Sequence, residues 1–131
     1  MFSYNGKIYF SADDGINGRE LWSYDGTTMS MAQDINSGGG YSHPQYLTIY
    51  NNKLCFQAGN SITGSELWVY DGTTAVVQDL VPGAGSSFTQ SLYVHNNKLY
   101  FSADNNIKGN ELHIYDGNTI QLIDVNSHYQ E

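Results

Sequence analysis

The stretch ELWSYDGTT occupies residues 20–28, and nearly the same letters return as ELWVYDGTT at residues 66–74 and as ELHIYDGNT at residues 111–119. The step from Glu20 to Glu66 is 46 residues, and the step from Glu66 to Glu111 is 45. An active site needs its residues once, whereas a packed building block needs them in every copy. We therefore interpret the 131 residues as one domain of three repeats, which span 1–45, 46–90 and 91–131.

The sequence of each repeat predicts four short β-strands, because β-branched and aromatic residues dominate and no apolar residues recur at the 3.6-residue spacing of a helix. In the second repeat the strands are YLTIY (46–50), KLCFQA (53–58), ELWVYD (66–71) and TAVVQDL (74–80); only MFSY remains of the first strand in repeat one. Apolar residues alternate along the second strand, which places them on one face, directed to the core. These residues are Ile8, Phe10 and Ala12; Leu54, Phe56 and Ala58; and Leu99, Phe101 and Ala103.

Turn residues separate the predicted strands. Asparagine and glycine tolerate the positive φ that a two-residue primed hairpin turn requires. Such turns are predicted after the first strand at Asn5-Gly6, Asn51-Asn52 and Asn96-Asn97, and after the third strand at Asp25-Gly26, Asp71-Gly72 and Asp116-Gly117. Two glycine-rich segments of about ten residues, 36–45 and 81–90, are long enough to lead from one sheet to the next.

Four antiparallel strands in a repeat of about 45 residues favour the blades of a β-propeller, so the predicted fold is all-β. The alternative is a β-trefoil or β-prism, which has internal three-fold pseudo-symmetry and closes as a monomer. Propellers typically have four to eight blades, so three blades leave their end faces open. We expect a homo-oligomer, a dimer that completes a six-bladed ring, unless the chain is a piece of a longer array.

The repeated residues also resemble a known family. ELWSYDGTT and ELWVYDGTT resemble the ELWxxDGT repeat, which occurs in long tandem arrays on large, often exported bacterial proteins. The preceding GKIYFSADDGINGRELW is similar to the family's LYFxAxDGxxGxELW run, and DLVPGAGSS is similar to its linker. The third repeat departs at His113 and Asn118. The resemblance implies a propeller-like architecture and export, and it implies no defined activity or catalytic residue.

Charge and composition narrow the function further. The formal charge is −8, with 5 Lys and Arg against 13 Asp and Glu, and the five cations are scattered. Nucleic acids and anionic membranes attract clustered cations, so neither is a predicted partner. No apolar run is long enough for a membrane-spanning helix, and the first ten residues show no signal-peptide pattern. The localisation therefore stays undetermined from the residues.

Two sets of repeated side chains are candidate ligand-binding residues. They are the glutamates Glu20, Glu66 and Glu111, and the aromatic position occupied by Trp22, Trp68 and His113. An exposed ring at that position could stack on a sugar, but burial between blades is the preferred interpretation. The glutamates, and with them Tyr24 and Asp25 of the same motif, have a structural interpretation as well. A glutamate can accept hydrogen bonds from the amides of the preceding loop, and an aspartate before glycine can cap its own turn.

The remaining chemistry is sparse. Asp13, Asp14 and Asn17 give the first repeat an oxygen-rich loop, which is a candidate Ca²⁺ site, but GNSITGSE in the second repeat contains no aspartate at the same place. No catalytic motif is present, and we expect no other cofactor. The predicted function is a non-catalytic, lectin-like binding module for carbohydrate or protein surfaces. The alternative is a purely structural repeat of a scaffold.

Overall fold

The computed structural model describes residues 1–38, 40–78, 86–87, 89–104 and 110–123. Within them the chain is all-β, without helices, and forms three four-stranded antiparallel sheets, one from each repeat. Sheet 1 contains β1 (Phe2–Tyr4), β2 (Lys7–Asp13), β3 (Arg19–Tyr24) and β4 (Met29–Gln33). Sheet 2 contains β5 (Gln45–Tyr50), β6 (Lys53–Asn60), β7 (Gly64–Tyr70) and β8 (Ala75–Gln78). Sheet 3 contains β9 (Gln90–His95), β10 (Lys98–Asp104), β11 (Asn110–Tyr115) and β12 (Ile120–Ile123). The predicted repeat of four antiparallel strands is confirmed.

Strands that follow each other in the chain are neighbours in each sheet. The turns between first and second strands have the predicted left-handed backbone, with φ of 52° at Asn5 and 75° at Gly6. In the other two sheets, asparagine takes both positions of the turn with φ between 50° and 62°. These values match a two-residue primed turn, whose twist fits the flanking strands. The turn prediction is therefore confirmed at all three sites.

The prediction for the other hairpin turn is wrong. Between β3 and β4 the loop has four residues, because Tyr24 pairs with Met29. Asp25 Oδ1 accepts hydrogen bonds from the amides of Thr27 (2.8 Å) and Thr28 (2.7 Å), and of the Asp-Gly pair only the glycine has positive φ. The carboxylate thus satisfies two amides and draws both threonines into the loop. Asp71 and Asp116 make the same pair of bonds.

The sheets stack face against face. We call face A the side of each sheet that carries the second-strand positions Leu54, Phe56 and Ala58 or their repeats, and face B the opposite side. Face A of sheet 2 is buried against Tyr9 and Leu21 on face B of sheet 1. Face A of sheet 3 is buried in the same way against face B of sheet 2, through Cys55, Leu67 and Val69. Each internal core is therefore made by one face A and one face B.

The predicted core face is confirmed in sheets 2 and 3 and wrong in sheet 1. The six second-strand residues of sheets 2 and 3 are at most 1% exposed. In sheet 1, Ile8 is 41% exposed, and Phe10 and Ala12 are half-buried. The reason is that sheet 1 lies at the end of the stack, where no other described sheet covers its face A. Sheet 1 instead contributes Tyr9 and Leu21, which lie on its face B, to the core. The burial of a repeat position thus depends on its neighbour.

The first strands of the three sheets lie next to one another. β1 contacts β5, and β5 contacts β9. The hydroxyl of Tyr4 donates to the backbone carbonyl of Asn52 over 2.7 Å, and Tyr50 makes the equivalent bond to Asn97 over 2.8 Å. A tyrosine–asparagine hydrogen bond at equivalent repeat positions therefore joins sheet 1 to sheet 2 and sheet 2 to sheet 3 at this edge.

Candidate functional site

One end of the stack is held together by serines in the linkers between sheets. The amide of Ser42 donates to the carbonyl of Arg19 in β3 (2.9 Å), and its carbonyl accepts from Gly59 in β6 (3.0 Å). The second linker repeats both bonds, from Ser87 N to Ser65 O (2.9 Å) and from Asp104 N to Ser87 O (2.8 Å). Each serine thus joins its own sheet to the next. Neither serine is among the predicted site residues, although a serine stands at the same repeat position in both linkers.

The buried glutamate at the start of β3 fixes the same linker. Glu20 is 0% exposed, and its carboxylate accepts hydrogen bonds from the amides of Ile35 (2.8 Å) and Asn36 (3.1 Å) and from the hydroxyl of Ser42 (2.6 Å). These groups lie after β4 in the chain. The prediction that the glutamate binds the loop before it is therefore wrong. Burial raises the pKa of Glu20, and the three hydrogen bonds oppose part of that rise. Glu66 and Glu111 are also buried.

The repeated aromatic position has three different environments. Trp68 is buried, and its indole nitrogen donates to the carbonyl of Ala58 over 3.1 Å. His113 is also buried and stacks on Phe101, with ring centroids 5.5 Å apart. Trp22 is half-buried on the uncovered face A of sheet 1. The six candidate ligand-binding residues are therefore spread over three sheets, and their role in binding stays a prediction.

The burial of His113 predicts that sheet 3 loses stability in acid. Its Nδ1 lies 3.1 Å from the carbonyl of Glu111, and its Nε2 has no partner among the described residues. Burial lowers the pKa of His113, because a charged imidazole is poorly solvated there. A lowered pKa in the folded state gives stability that is complete above the ordinary value of 6.5 and is lost as pH falls through the folded value.

We therefore expect the melting temperature of the protein to fall between pH 7.5 and 5 more steeply than that of the variant His113→Trp. The variant restores the residue of the other two repeats and removes the titrating group. Thermal unfolding followed by circular dichroism over this pH range measures the difference. Parallel pH profiles for the two proteins would contradict it.

A polar cleft of about 410 Å³ lies between sheet 2 and the Ser42 linker, which joins sheet 1 to sheet 2. One wall is the linker, and the other is formed by the end of β6, the start of β7 and the loop between them. The residues that line it are Asn36, Tyr41, Ser42, His43, Gln45, Gln57, Gly59, Asn60, Ser61, Gly64 and Ser65. All of these side chains are amides, hydroxyls, aromatic rings or glycine, and none is a carboxylate.

Two exposed rings stand at the cleft. The rings of Tyr41 and His43 have centroids 5.3 Å apart, and Tyr41 is 49% exposed. Tyr41 donates its hydroxyl proton to Asp13 Oδ2 over 2.7 Å, and its carbonyl accepts from Nδ2 of Asn36 over 3.0 Å. These bonds hold the tyrosine at the cleft while leaving about half of it open. A fixed aromatic ring beside side-chain amides is the arrangement that ring stacking and hydrogen bonding to an uncharged polar ligand require.

The candidate Ca²⁺ loop uses its oxygens within the loop. Asp14 Oδ1 accepts from the amides of Ile16 and Asn17, each over 2.8 Å, and Asp14 Oδ2 accepts from the Asn17 side chain over 2.7 Å. Asp13 Oδ1 accepts from the amide of Gly15. In the part of the chain that the structure describes, no three His, Cys, Asp or Glu side chains group as metal ligands would. Calcium binding by Asp13, Asp14 and Asn17 stays a prediction.

The single cysteine lies in the core between sheets 2 and 3. Cys55 is 0% exposed, and burial raises its pKa to about 12. A thiol with that pKa is almost entirely protonated at neutral pH, so it packs as a small apolar side chain.

Comparison of the chain with models of known protein families, with curated proteins and with solved structures found no match. The resemblance to the ELWxxDGT repeat therefore stays a prediction from the residues quoted above. Among the described residues, no helix has the length and apolar character needed to cross a membrane.

Proposed function

We propose that the chain is a non-catalytic, propeller-type repeat module that binds carbohydrate at the cleft between sheet 2 and the Ser42 linker. Three features support the blade arrangement: each repeat keeps its own sheet, consecutive sheets stack face A on face B, and the first strands of neighbouring sheets are in contact. In a trefoil, by contrast, strands of all repeats share one barrel.

The observation that carries the binding proposal is the composition of the cleft. Its volume of about 410 Å³ is in the range of small-ligand sites, and it combines an open tyrosine ring with the amides of Asn36 and Gln57. Sugars offer hydroxyls to amides and an apolar ring face to an aromatic side chain. The lining contains no Asp, Glu, Lys or Arg side chain, so we expect uncharged sugars to be preferred and binding to depend little on ionic strength.

Replacing Tyr41 by alanine is expected to weaken sugar binding about five- to tenfold, because the loss of one stacking ring costs about 1 kcal/mol. A glycan array with multivalent display identifies the sugar class, and titration calorimetry with that sugar measures the affinity. Tyr46→Ala is the matched control, since Tyr46 is similarly exposed but does not line the cleft. Equal affinity of the two variants would place the ligand elsewhere.

A scaffold is the second candidate, and the burial of Glu20, Glu66, Trp68 and His113 favours it. Trp68 lies in the core between sheets 1 and 2, and Glu20 holds the linker that joins them, so both stabilise the stack. Such a stack could act as a spacer without any ligand. Absence of binding across the array, with the protein folded and present at high concentration, would select this candidate.

A further inference from the structure

Within the described residues, one face at each end of the three-sheet stack has no cover. On face A of sheet 1, Ile8 is 41% exposed and Tyr24 is 36% exposed. Their equivalents on face A of sheet 2, Leu54 and Tyr70, are 0% and 5% exposed, because sheet 1 covers them. Face A of sheet 1 therefore has the composition of a covered face and lacks a cover within the described chain.

Face B of sheet 3 likewise has no cover among the described residues. Leu112 is 38% exposed, whereas its equivalents on the other face B surfaces, Leu21 and Leu67, are 0% and 1% exposed. Tyr93 lies on this side of sheet 3, paired across from Tyr100, and is 68% exposed. The two ends of the stack thus present the two halves of the interface that the sheets make twice inside the chain.

We propose that a second copy of this chain covers both ends, with face A of sheet 1 of each copy packed on face B of sheet 3 of the other. Two copies then form two equivalent interfaces and leave no sheet face uncovered. Two copies of these three sheets make six blades, a number within the usual range of four to eight. The blade count rests on the propeller architecture proposed above, whereas the pairing of faces rests on the contacts alone.

The aromatic contacts indicate where one side chain of the second copy would lie. At the first internal interface, Tyr9 lies 5.6 Å from Tyr4 and 5.6 Å from Tyr70, measured between ring centroids. On face B of sheet 3, His95 and Tyr100 repeat the first pair at 6.0 Å. Beside them is an open hollow of about 480 Å³, which Tyr93, His95 and Tyr100 line. The third ring of this cluster is supplied by Tyr24 of the second copy, the repeat equivalent of Tyr70.

A turn contact also recurs between the sheets inside the chain and is missing at Gly26 of sheet 1. A Cβ placed on Gly72 would lie 3.4 Å from Nδ2 of Asn5, and one placed on Gly117 would lie 3.1 Å from Nδ2 of Asn51. Gly26 is the equivalent glycine of sheet 1, and no described atom outside its chain neighbours lies within 4 Å of a Cβ placed on it. In the proposed assembly, Asn96 of the second copy takes this place.

The molar mass in solution tests the proposal. Light scattering on the eluting protein is expected to give two chains, each of 14.6 kDa. Ile8→Glu and Leu112→Glu each place a carboxylate in both interfaces, so each variant is expected to elute as a single chain. Ile62→Glu is the control, because Ile62 is 74% exposed in the loop after β6 and lies on neither uncovered face. Circular dichroism verifies that the variants are folded.

Mixing the two variants separates this assembly from others. A mixed pair has both substitutions in one interface and none in the other, so the two-chain mass should return in part. A single-chain mass for the unmodified protein would overturn the proposal, as would a mass above two chains. So would a dimer that Leu112→Glu leaves intact, since that dimer would pair like faces. Sugar binding at the cleft is a separate readout, and its failure leaves this result unchanged.

Discussion

Replacing Phe56 by alanine is expected to lower the free energy of unfolding by about 3–5 kcal/mol. Phe56 is 0% exposed on face A of sheet 2 and lies in the core that sheets 1 and 2 build together. Its removal loses the transfer free energy of the ring and leaves a cavity between two sheets that the linker bonds hold in place. Urea unfolding followed by fluorescence measures the loss.

The repeat supplies a matched control for this experiment. Phe10 has the same position in sheet 1 but is half-buried on the uncovered face, so Phe10→Ala is expected to cost much less in a single chain. Both substitutions should be compared in the Leu112→Glu background, which keeps that face uncovered. Phe101→Ala should resemble Phe56→Ala, because Phe101 is 1% exposed. Equal losses at all three positions would contradict the stacking order of the sheets.

Replacing Glu20 by alanine is expected to cost about 3 kcal/mol, because two backbone amides and a hydroxyl lose their acceptor in a buried site. The affected groups are Ile35 N, Asn36 N and Ser42 Oγ. Glu20→Gln has nearly the same shape and keeps one carbonyl oxygen, so its loss should be smaller. A loss for alanine no larger than that for glutamine would show that the hydrogen bonds contribute little.

The same pair of proteins gives a pH test. Because burial raises the pKa of Glu20 in the folded state, folding favours its protonated form. The stability that this preference contributes is complete below the ordinary value of 4.5 and is lost as pH rises through the raised value. The difference in unfolding free energy between the unmodified protein and Glu20→Gln should therefore shrink as pH rises above 4.5. A difference that grows over this range would contradict the direction of the shift.

The sequence predicts the local features of this fold better than it predicts which sheets lie next to each other. Alternation in KLCFQA is sufficient to place Leu54, Phe56 and Ala58 on one side of a strand, and asparagine pairs are sufficient to predict the primed turns. The alternation at Ile8 is equally regular, but its exposure depends on whether another sheet lies against it. The four-residue loop at Asp25 was missed because an Asp-Gly pair fits both loop lengths, and the bonds from Thr27 and Thr28 decide between them.

The candidate site was predicted less well, for a physical reason. The glutamates and aromatic residues were visible because they recur, and recurrence selects side chains that pack in every copy. The cleft at Tyr41 and His43 lies in a linker whose letters differ between repeats, so no repetition marks it. Its walls come from the linker and from the β6–β7 end of sheet 2, and only folding brings them together. Ser42 is the exception, since the serine at the same place in the second linker was a usable signal.

The alternation of face A and face B also bears on how such a gene could grow. Duplication of one whole unit of about 45 codons would place a new sheet between two existing ones, and the newcomer would find the surface that it requires on each side. No new kind of contact has to arise, because the energetics of such a chain are carried by adjacent pairs. The length of the chain can therefore change by whole repeats, whereas a partial duplication would separate a sheet from the linker that holds it in place.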